Sequence, residues 1–537
     1  MISMALAICH LSCNMMLTSC TDWSDHYDEA SQAEANGSLW TVLSANGDLS
    51  NFARVIKACG YDRILASDQT YTVFAPTDAA FSAADADALI ADYNSQVAAG
   101  IDDKNNTVLL RFLQNHIAMY RHPVSTMTAD TITMMNRKYM PLTADAINGH
   151  GFTTASTLCA NGLLFTMGSR LDYVPSVFEC LDIEDGLDSV YAFLNSHSVY
   201  EFNESKSVAG DIIDGVTHYL DSVTDFRNDL LERYGLINSE DSAYIMVAPV
   251  NAEWNRLVEE YTPYFNYASN VEGRDSMAYT NTRLAILGGA IFSRTFNSDT
   301  ALQDSAYSTQ AYSALVRRMM GIDDNYYIFP QPYAEGGIFH GTEKLTCSNG
   351  QLLKATSYNI YKEKTFLQRV RVEAENNIDT ILNANSIVRT PQVVSNNPFY
   401  GQVSENSFIV ARPDKDDSKI IVGFRVPRLL ANAKYDVYAV FAPATAADPL
   451  DVAETTKEVK VISRVSQTDQ NGKMSTPPFR YPKTVDGTKV DEIMLQSAVR
   501  INTCGYDLKT ANVRLEIQSN TPGATLRIDC IKFVPVE

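Results

Sequence analysis

Apolar side chains at Phe52, Val55, Ile56 and Cys59 recur at helical spacing, and Gly60 stands where a left-handed residue would close the helix. A β-rich run, Tyr71 to Ala75, follows and stops at Pro76, which lacks a backbone donor and holds its predecessor extended. A second helix is expected next, with Thr77 or Asp78 as its cap and Phe81 on its first inward-facing turn. Leu109, Leu113 and Ile117 mark a further helical stripe, and strand-like runs lead to Phe165.

The same order of signals returns later. Thr70 to Phe81 reads Thr-Tyr-Thr-Val-Phe-Ala-Pro-Thr-Asp-Ala-Ala-Phe, and Ala243 to Trp254 reads Ala-Tyr-Ile-Met-Val-Ala-Pro-Val-Asn-Ala-Glu-Trp. Val250 replaces Thr77, so Asn251 is the better cap in the second copy. Val190, Phe193 and Leu194 predict a helix near its start, and a helical stretch through Phe226, Leu230 and Tyr234 is closed by Gly235. A strand-proline-cap-aromatic unit repeated at long spacing implies duplicated domains rather than a short solenoid repeat.

Val73, Phe74, Ala75, Pro76 and Thr77 resemble the first motif of fasciclin domains, extracellular modules that mix a β-wedge with packed helices. Asn115-His116-Ile117 is similar to the second motif, and Asn161-Gly162-Leu163-Leu164-Phe165 to the closing turn and strand. In the second copy Ala248-Pro249 and Asn349-Gly350-Gln351-Leu352-Leu353 fill the first and last roles, while Leu284 to Phe292 stands at the middle motif without its histidine. The resemblance implies an α+β fasciclin-like domain at 37–178 and a divergent second one at 184–365. His116, beside an apolar stripe, reads as a hydrogen-bonded structural histidine rather than a catalytic base.

The second copy also carries aromatic insertions. Tyr261, Tyr264 and Tyr267 fall in one, and Tyr326 and Tyr327 in another. Aromatic groups on loops can bind sugar faces or partner proteins, or pack an insertion onto its own domain. These five tyrosines are the candidate ligand-binding residues.

Beyond about Phe366 the pattern is all β. Ile420 to Val426 and Tyr435 to Phe441 are strand-like, and Val513, Leu515 and Ile517 alternate with Arg514 and Glu516 as in a half-exposed strand. Turn signals at Pro427, Asn471-Gly472 and Pro522-Gly523 separate such runs, which predicts a two-sheet sandwich over 366–537. Val372-Glu373-Ala374-Glu375 and Leu526 to Phe533 resemble galactose-binding-like jelly rolls of the carbohydrate-binding-module type. That resemblance implies a structural calcium on Glu373, Glu375 and Asp529, whose hard oxygens suit it; without an ion they would be solvated strand edges.

Composition narrows the function. A chain of 537 residues exceeds one core and predicts several domains. Its formal net charge of −21 leaves no excess of cations to bind a phosphate backbone, so nucleic acid is excluded as a partner. Met4 to Leu11 and Met15 to Leu17 form a short apolar stretch where a signal peptide would lie. It ends in Leu17-Thr18-Ser19-Cys20, which resembles a bacterial lipobox with Cys20 as the lipidation site. Asp22, Asp25, Asp28 and Glu29 then resemble export signals of surface-exposed Gram-negative lipoproteins. No Lys or Arg precedes Cys20, a departure from the usual signal peptide. The expectation is a signal peptide at 1–20, a tether at 21–36, and a lipid anchor in the outer membrane with the protein facing outwards.

The scattered cysteines show neither a disulfide framework nor a Cys-x-x-Cys spacing, although Cys504 and Cys530 share a domain and could pair. No His-Glu-x-x-His, phosphate-binding loop or Gly-x-Ser-x-Gly elbow occurs, so no catalytic residue is assigned and no enzyme is expected. Two functions remain: adhesion to an extracellular protein or glycan through the fasciclin-like domains, or glycan capture by the sandwich within an outer-membrane polysaccharide uptake system.

Overall fold

The computed structural model describes residues 36–124, 129–206, 208–213, 216–221, 224–311, 326–385 and 390–536. The leader, Cys20 and the tether up to residue 35 lie outside them. Two compact units are present. The first runs to Ser176 and includes Ser239–Asp241 and Thr346–Asn349; the second holds the rest of the chain.

In the first unit, strands β1 (Tyr71–Pro76), β2 (Ile117–Met119), β3 (Thr157–Cys159) and β4 (Gly162–Met167) form a sheet of order β2-β1-β4-β3. β1 is antiparallel to β2 and parallel to β4, and all of its residues are buried, which explains its continuous rather than alternating apolar pattern. Val73 and Leu164 face a core with Phe52, Val55, Ile56, Phe81 and Phe112. Phe74 and Phe165 face the other way, onto Met140, Leu142 and Ile147 of a small antiparallel sheet spanning 130–151.

Asn161 and Gly162 set the start of β4. The Asn161 side chain donates to the carbonyls of Leu65 (2.9 Å) and Ser67 (2.6 Å) and accepts from the Leu39 amide (2.7 Å). Gly162 lies so close to β1 that a Cβ there would sit 2.0 Å from the Tyr71 carbonyl oxygen.

Helices α1 (Ser50–Ala58) and α2 (Ala83–Ala98) correct the expected capping. Residues 77–81 first make a turn, with the Ala80 and Phe81 amides on the Thr77 carbonyl, so α2 starts late and is capped reciprocally by Ser82 and Asp85. Asp78 instead caps α1: its carboxylate accepts from the Asn51 amide (2.9 Å) and the Ser50 hydroxyl (2.5 Å). The Leu109 stripe is helical only to His116, because Ile117 enters β2. His116 is fully buried. Its Nδ1 donates to the Phe112 carbonyl (2.8 Å), and its Nε2 accepts from the Leu171 amide (2.9 Å), as expected for a structural histidine.

The second unit repeats this plan. Strands β5 (Tyr244–Pro249), β6 (Ile291–Ser293), β7 (Glu343–Cys347) and β8 (Gly350–Ala355) take the order β6-β5-β8-β7, with β5 parallel to β8. A Cβ on Gly350 would lie 1.8 Å from the Tyr244 carbonyl oxygen, the same constraint as at Gly162. Asn251 corresponds to Asp78. It begins its own helix, α4 (Asn251–Tyr261), which has no side-chain cap; its Oδ1 accepts from the Ser189 amide (3.0 Å) at the start of α3 (Asp188–Asn195). Phe226 is not helical: it lies on a strand, Thr224–Asn228, and Asn228 caps the short helix Asp229–Tyr234. Register places Ala290, after helix α5 (Arg274–Leu287), where the first repeat has His116. The buried Tyr358 takes over part of the histidine's work, donating its hydroxyl to the Ile286 carbonyl (2.7 Å).

The sandwich begins with β9 (Val370–Glu373), β10 (Ile378–Leu382), β11 (Ile409–Ala411), β12 (Ile421–Val426) and β13 (Lys434–Phe441). It continues with β14 (Val459–Gln467), β15 (Lys483–Val485), β16 (Asp491–Arg500), β17 (Val513–Ser519) and β18 (Leu526–Val536). One antiparallel sheet runs β9-β18-β13-β16, with β11 also on β18; the other runs β10-β12-β17-β14-β15. Buried Phe424, Leu515, Ile517, Val437, Phe441 and Phe533 belong to these two sheets. The expected half-exposed character of β17 fails at Glu516, which is 3% exposed because Arg464 on β14 pairs with it at 2.5 Å. Cys504 and Cys530 are separate buried thiols, not a disulfide.

Replacing Gly162 by Ala should cost about 3 kcal/mol or more, because a backbone oxygen cannot yield as a flexible side chain can; thermal unfolding of the full chain reads this. His116 gives a pH test. Burial lowers its pKa to about 4, so the fold favours the neutral ring. Its contribution is complete above the unfolded value near 6.5 and is lost as pH falls from there towards 4. Wild type should therefore lose about 2 kcal/mol more than His116→Gln between about pH 7 and pH 5. Chemical denaturation of both proteins across that range measures the difference.

Candidate functional site

Pairing of β9 with β18 places Glu373 opposite Cys530 and beside Asp529. Single ligand atoms from these residues lie within 4.8 Å of one another. Ser404, on a turn remote in sequence, donates its amide to both oxygens of Asp529 at 3.1 Å. Arg371 holds one oxygen of Glu373 at 2.7 Å. The second oxygen of Glu373, one oxygen of Glu375 and the Ser404 hydroxyl are buried without a hydrogen-bond partner.

Such orphaned oxygens are costly unless something positive reaches them. Burial raises the Asp529 carboxyl to about 7, against the lowering effect of the Ser404 amide, and also pushes the Glu375 carboxyl up. Burial, with Asp529 next, pushes the Cys530 thiol up to about 12, so it stays protonated and offers a poor ligand. The oxygens of Glu373 and Asp529 suit a hard divalent cation, whereas the predicted Glu375 is not in the group that converges within 4.8 Å and is linked to it through its unpartnered oxygen and its charge effect on Asp529. Ser404 and Arg371 carry no motif that sequence reading could have used.

The candidate tyrosines do not form an open ligand surface. Tyr261 is 4% exposed and Tyr267 2% exposed. Tyr261, Tyr264 and Phe265 pack around Phe366, and Phe265 also meets Tyr506 edge-on. The Tyr267 hydroxyl accepts from the Asn281 side chain (2.9 Å). Backbone bonds from Ala431 to Tyr264 (2.9 Å) and from Cys504 to Asn266 (2.8 Å) complete the junction. Half-buried Tyr326 accepts from the Arg369 amide through its hydroxyl (2.8 Å), and the Tyr327 amide donates to Lys364 (2.7 Å). The insertions thus bind the second repeat to the sandwich, which explains why the two share one compact unit.

The sandwich itself offers an open groove of about 620 Å³ between its sheet edges, lined by Val465 and Gln467 of β14, the segment 475–483, and 494–500 of β16. Two contacts hold that segment: the Arg464 guanidinium lies over the Phe479 ring at 4.6 Å, and the Arg480 amide donates to Ser463 (2.7 Å). Tyr481 is left 84% exposed at the rim, and Met494 37% exposed. Opposite, register shifts in the pairing of β13 with β16 and a left-handed Ala498, whose amide Asp436 accepts at 2.8 Å, re-aim the end of β16. The sequence signal for this site was Pro477-Pro478-Phe479-Arg480-Tyr481-Pro482, aromatic residues held among prolines.

Residues 47–171 match the profile of the Fasciclin domain. The chain is thus a multidomain protein with a fasciclin domain followed by many-stranded antiparallel sheets. No curated protein matches it in sequence. Among solved structures, the FAS1 domain pair of the insect cell adhesion molecule Fasciclin I is 11% identical, covering 59% of this chain and 99% of that one, with a TM-score of 0.19. A family 35 carbohydrate binding module from Clostridium thermocellum is 14% identical, covering 31% of this chain and 96% of that one, with a TM-score of 0.19. The Podospora anserina GH26-CBM35 β-(1,4)-mannanase is 16% identical over 32% of this chain, with a TM-score of 0.20; only 28% of the mannanase is covered.

Proposed function

We propose that this protein is a non-catalytic extracellular binding protein whose sandwich holds a polysaccharide along the groove between β14 and β16. The observation that carries this reading is Tyr481, 84% exposed on an anchored segment at the rim of a 620 Å³ groove. An exposed aromatic face on a groove that also presents Gln467 and Gln496 suits a sugar ring, which is apolar on its faces and hydroxylated at its edges. The lipobox-like Leu17 to Cys20 supports anchoring through Cys20 to the outer membrane, with the groove displayed outside. Adhesion through the fasciclin domain at 47–171 and its repeat is the second reading, carried by the family match. In the first reading the repeats act as a spacer for the sandwich.

The oxygens of Glu373 and Asp529 would hold calcium with a structural role. A cation there would tie β9 and β18 to the 404–406 turn and satisfy the orphaned oxygens.

Tyr481→Ala should weaken polysaccharide binding about tenfold, on the scale of one aromatic stacking contact, without changing the unfolding temperature. A glycan array followed by titration calorimetry measures it; undiminished binding by the variant would remove the groove as the site. Chelation should lower the stability of the full chain by about 3 kcal/mol, with recovery on added calcium. Asp529→Ala should abolish that calcium response. A chelator-insensitive melting curve would exclude the cation.

A further inference from the structure

We infer that the groove selects anionic polysaccharides, chains bearing carboxylate or sulfate groups, over neutral ones. This rests on the polysaccharide reading of the same groove. Its lining contains Arg480, Lys483 and Arg500 and no Asp or Glu. That is an unusual composition in a chain whose net charge is −21. None of the three pairs with a carboxylate among the described residues. Arg500 is held by a neutral partner, donating to the Asn432 side-chain oxygen at 2.8 Å, so its guanidinium is positioned while its charge remains uncompensated.

The cations form a row rather than a cluster. Lys483 pairs with Val461 across β14 and β15, and the Arg480 amide bonds to Ser463. The Arg500 carbonyl accepts from the Gln467 side chain at 3.0 Å. The backbone stations at 461, 463 and 467 span about 20 Å along β14, so the three residues are attached at successive points of that strand. A small anion needs one such station, whereas a polymer carrying charge along its length can use all of them. Fixed like charges facing a groove also repel a cationic ligand and draw in an anionic one.

A second cleft in the sandwich, of about 360 Å³, contrasts with this. It is lined by Arg412, Lys457 and Arg527, but also by Asp451 and Glu454. There Lys457 and Arg527 both pair with Glu454, the latter at 3.3 Å, so two of the cleft's three cations already have a carboxylate partner.

The test uses the full chain in affinity electrophoresis and titration calorimetry against polygalacturonate, a sulfated galactan and a neutral galactan. Retention of at least one anionic polymer, with little retention of the neutral one, is expected; the two anionic arms tell carboxylate from sulfate. Affinity should fall about tenfold between about 0.05 M and 0.5 M NaCl. The triple variant Arg480→Ala, Lys483→Ala, Arg500→Ala should bind the anionic polymer about tenfold more weakly and lose most of that salt dependence, with an unchanged melting curve. Tyr481→Ala should weaken binding while keeping the salt dependence. Wild-type binding of neutral galactan as tight as that of the anionic polymers, or equal binding of an anionic polymer by wild type and triple variant, would overturn charge selection and leave the polysaccharide reading standing. Binding of no polymer would overturn both.

Discussion

Both repeats depend on one close approach, where the backbone of a strand-opening glycine presses against a tyrosine carbonyl of the parallel neighbour. No side chain fits there: a Cβ on Gly162 or Gly350 would lie 2.0 or 1.8 Å from that oxygen. Register then follows. With Gly162 beside Tyr71 and Gly350 beside Tyr244, each central strand is paired along its whole length and ends at proline in both copies. The preceding asparagine is equally committed, because Asn161 satisfies backbone groups of a loop and a helix that have no strand partner.

Around this fixed pair the repeats diverge in chemistry while keeping the same connections. An acidic Asp78 and a neutral Asn251 each accept from an amide at the start of an earlier helix, α1 and α3 respectively, since either side chain offers an oxygen acceptor. The contact between the end of the middle helix and the segment after the closing strand survives a complete change of residues. His116 makes it by bridging Phe112 to Leu171, and Tyr358 by reaching back to Ile286. The bridging side chain belongs to the helix in one case and to the segment in the other, while the donor lies in the segment both times.

The sandwich uses a different division of labour. Its closed side gathers acidic groups of β9 and β18 into a buried oxygen cluster, while its open side leaves a groove lined by cations and amides. The aromatic insertions of the second repeat serve neither: they bury themselves against Phe366 and Tyr506, fixing the platform on which the groove is carried.

Local chemistry made much of this legible in the chain. The repeated Ala-Pro unit, the Asn-Gly turns, the structural role of His116 and the all-β final third follow from residue types whose backbone demands are strong wherever they occur. Glu373 and Asp529, which the pairing of β9 with β18 brings together, were named through family resemblance. What only tertiary structure decided were contacts between segments far apart in sequence: Asp78 capping α1 rather than its own helix, Ser404 meeting Asp529, and Arg464 burying Glu516. Aromatic residues showed the limit most clearly. Tyr267 and Tyr481 are chemically identical, yet one is 2% exposed and the other 84%. Whether a tyrosine packs or binds depends on what surface lies opposite it, and a one-dimensional pattern does not contain that surface.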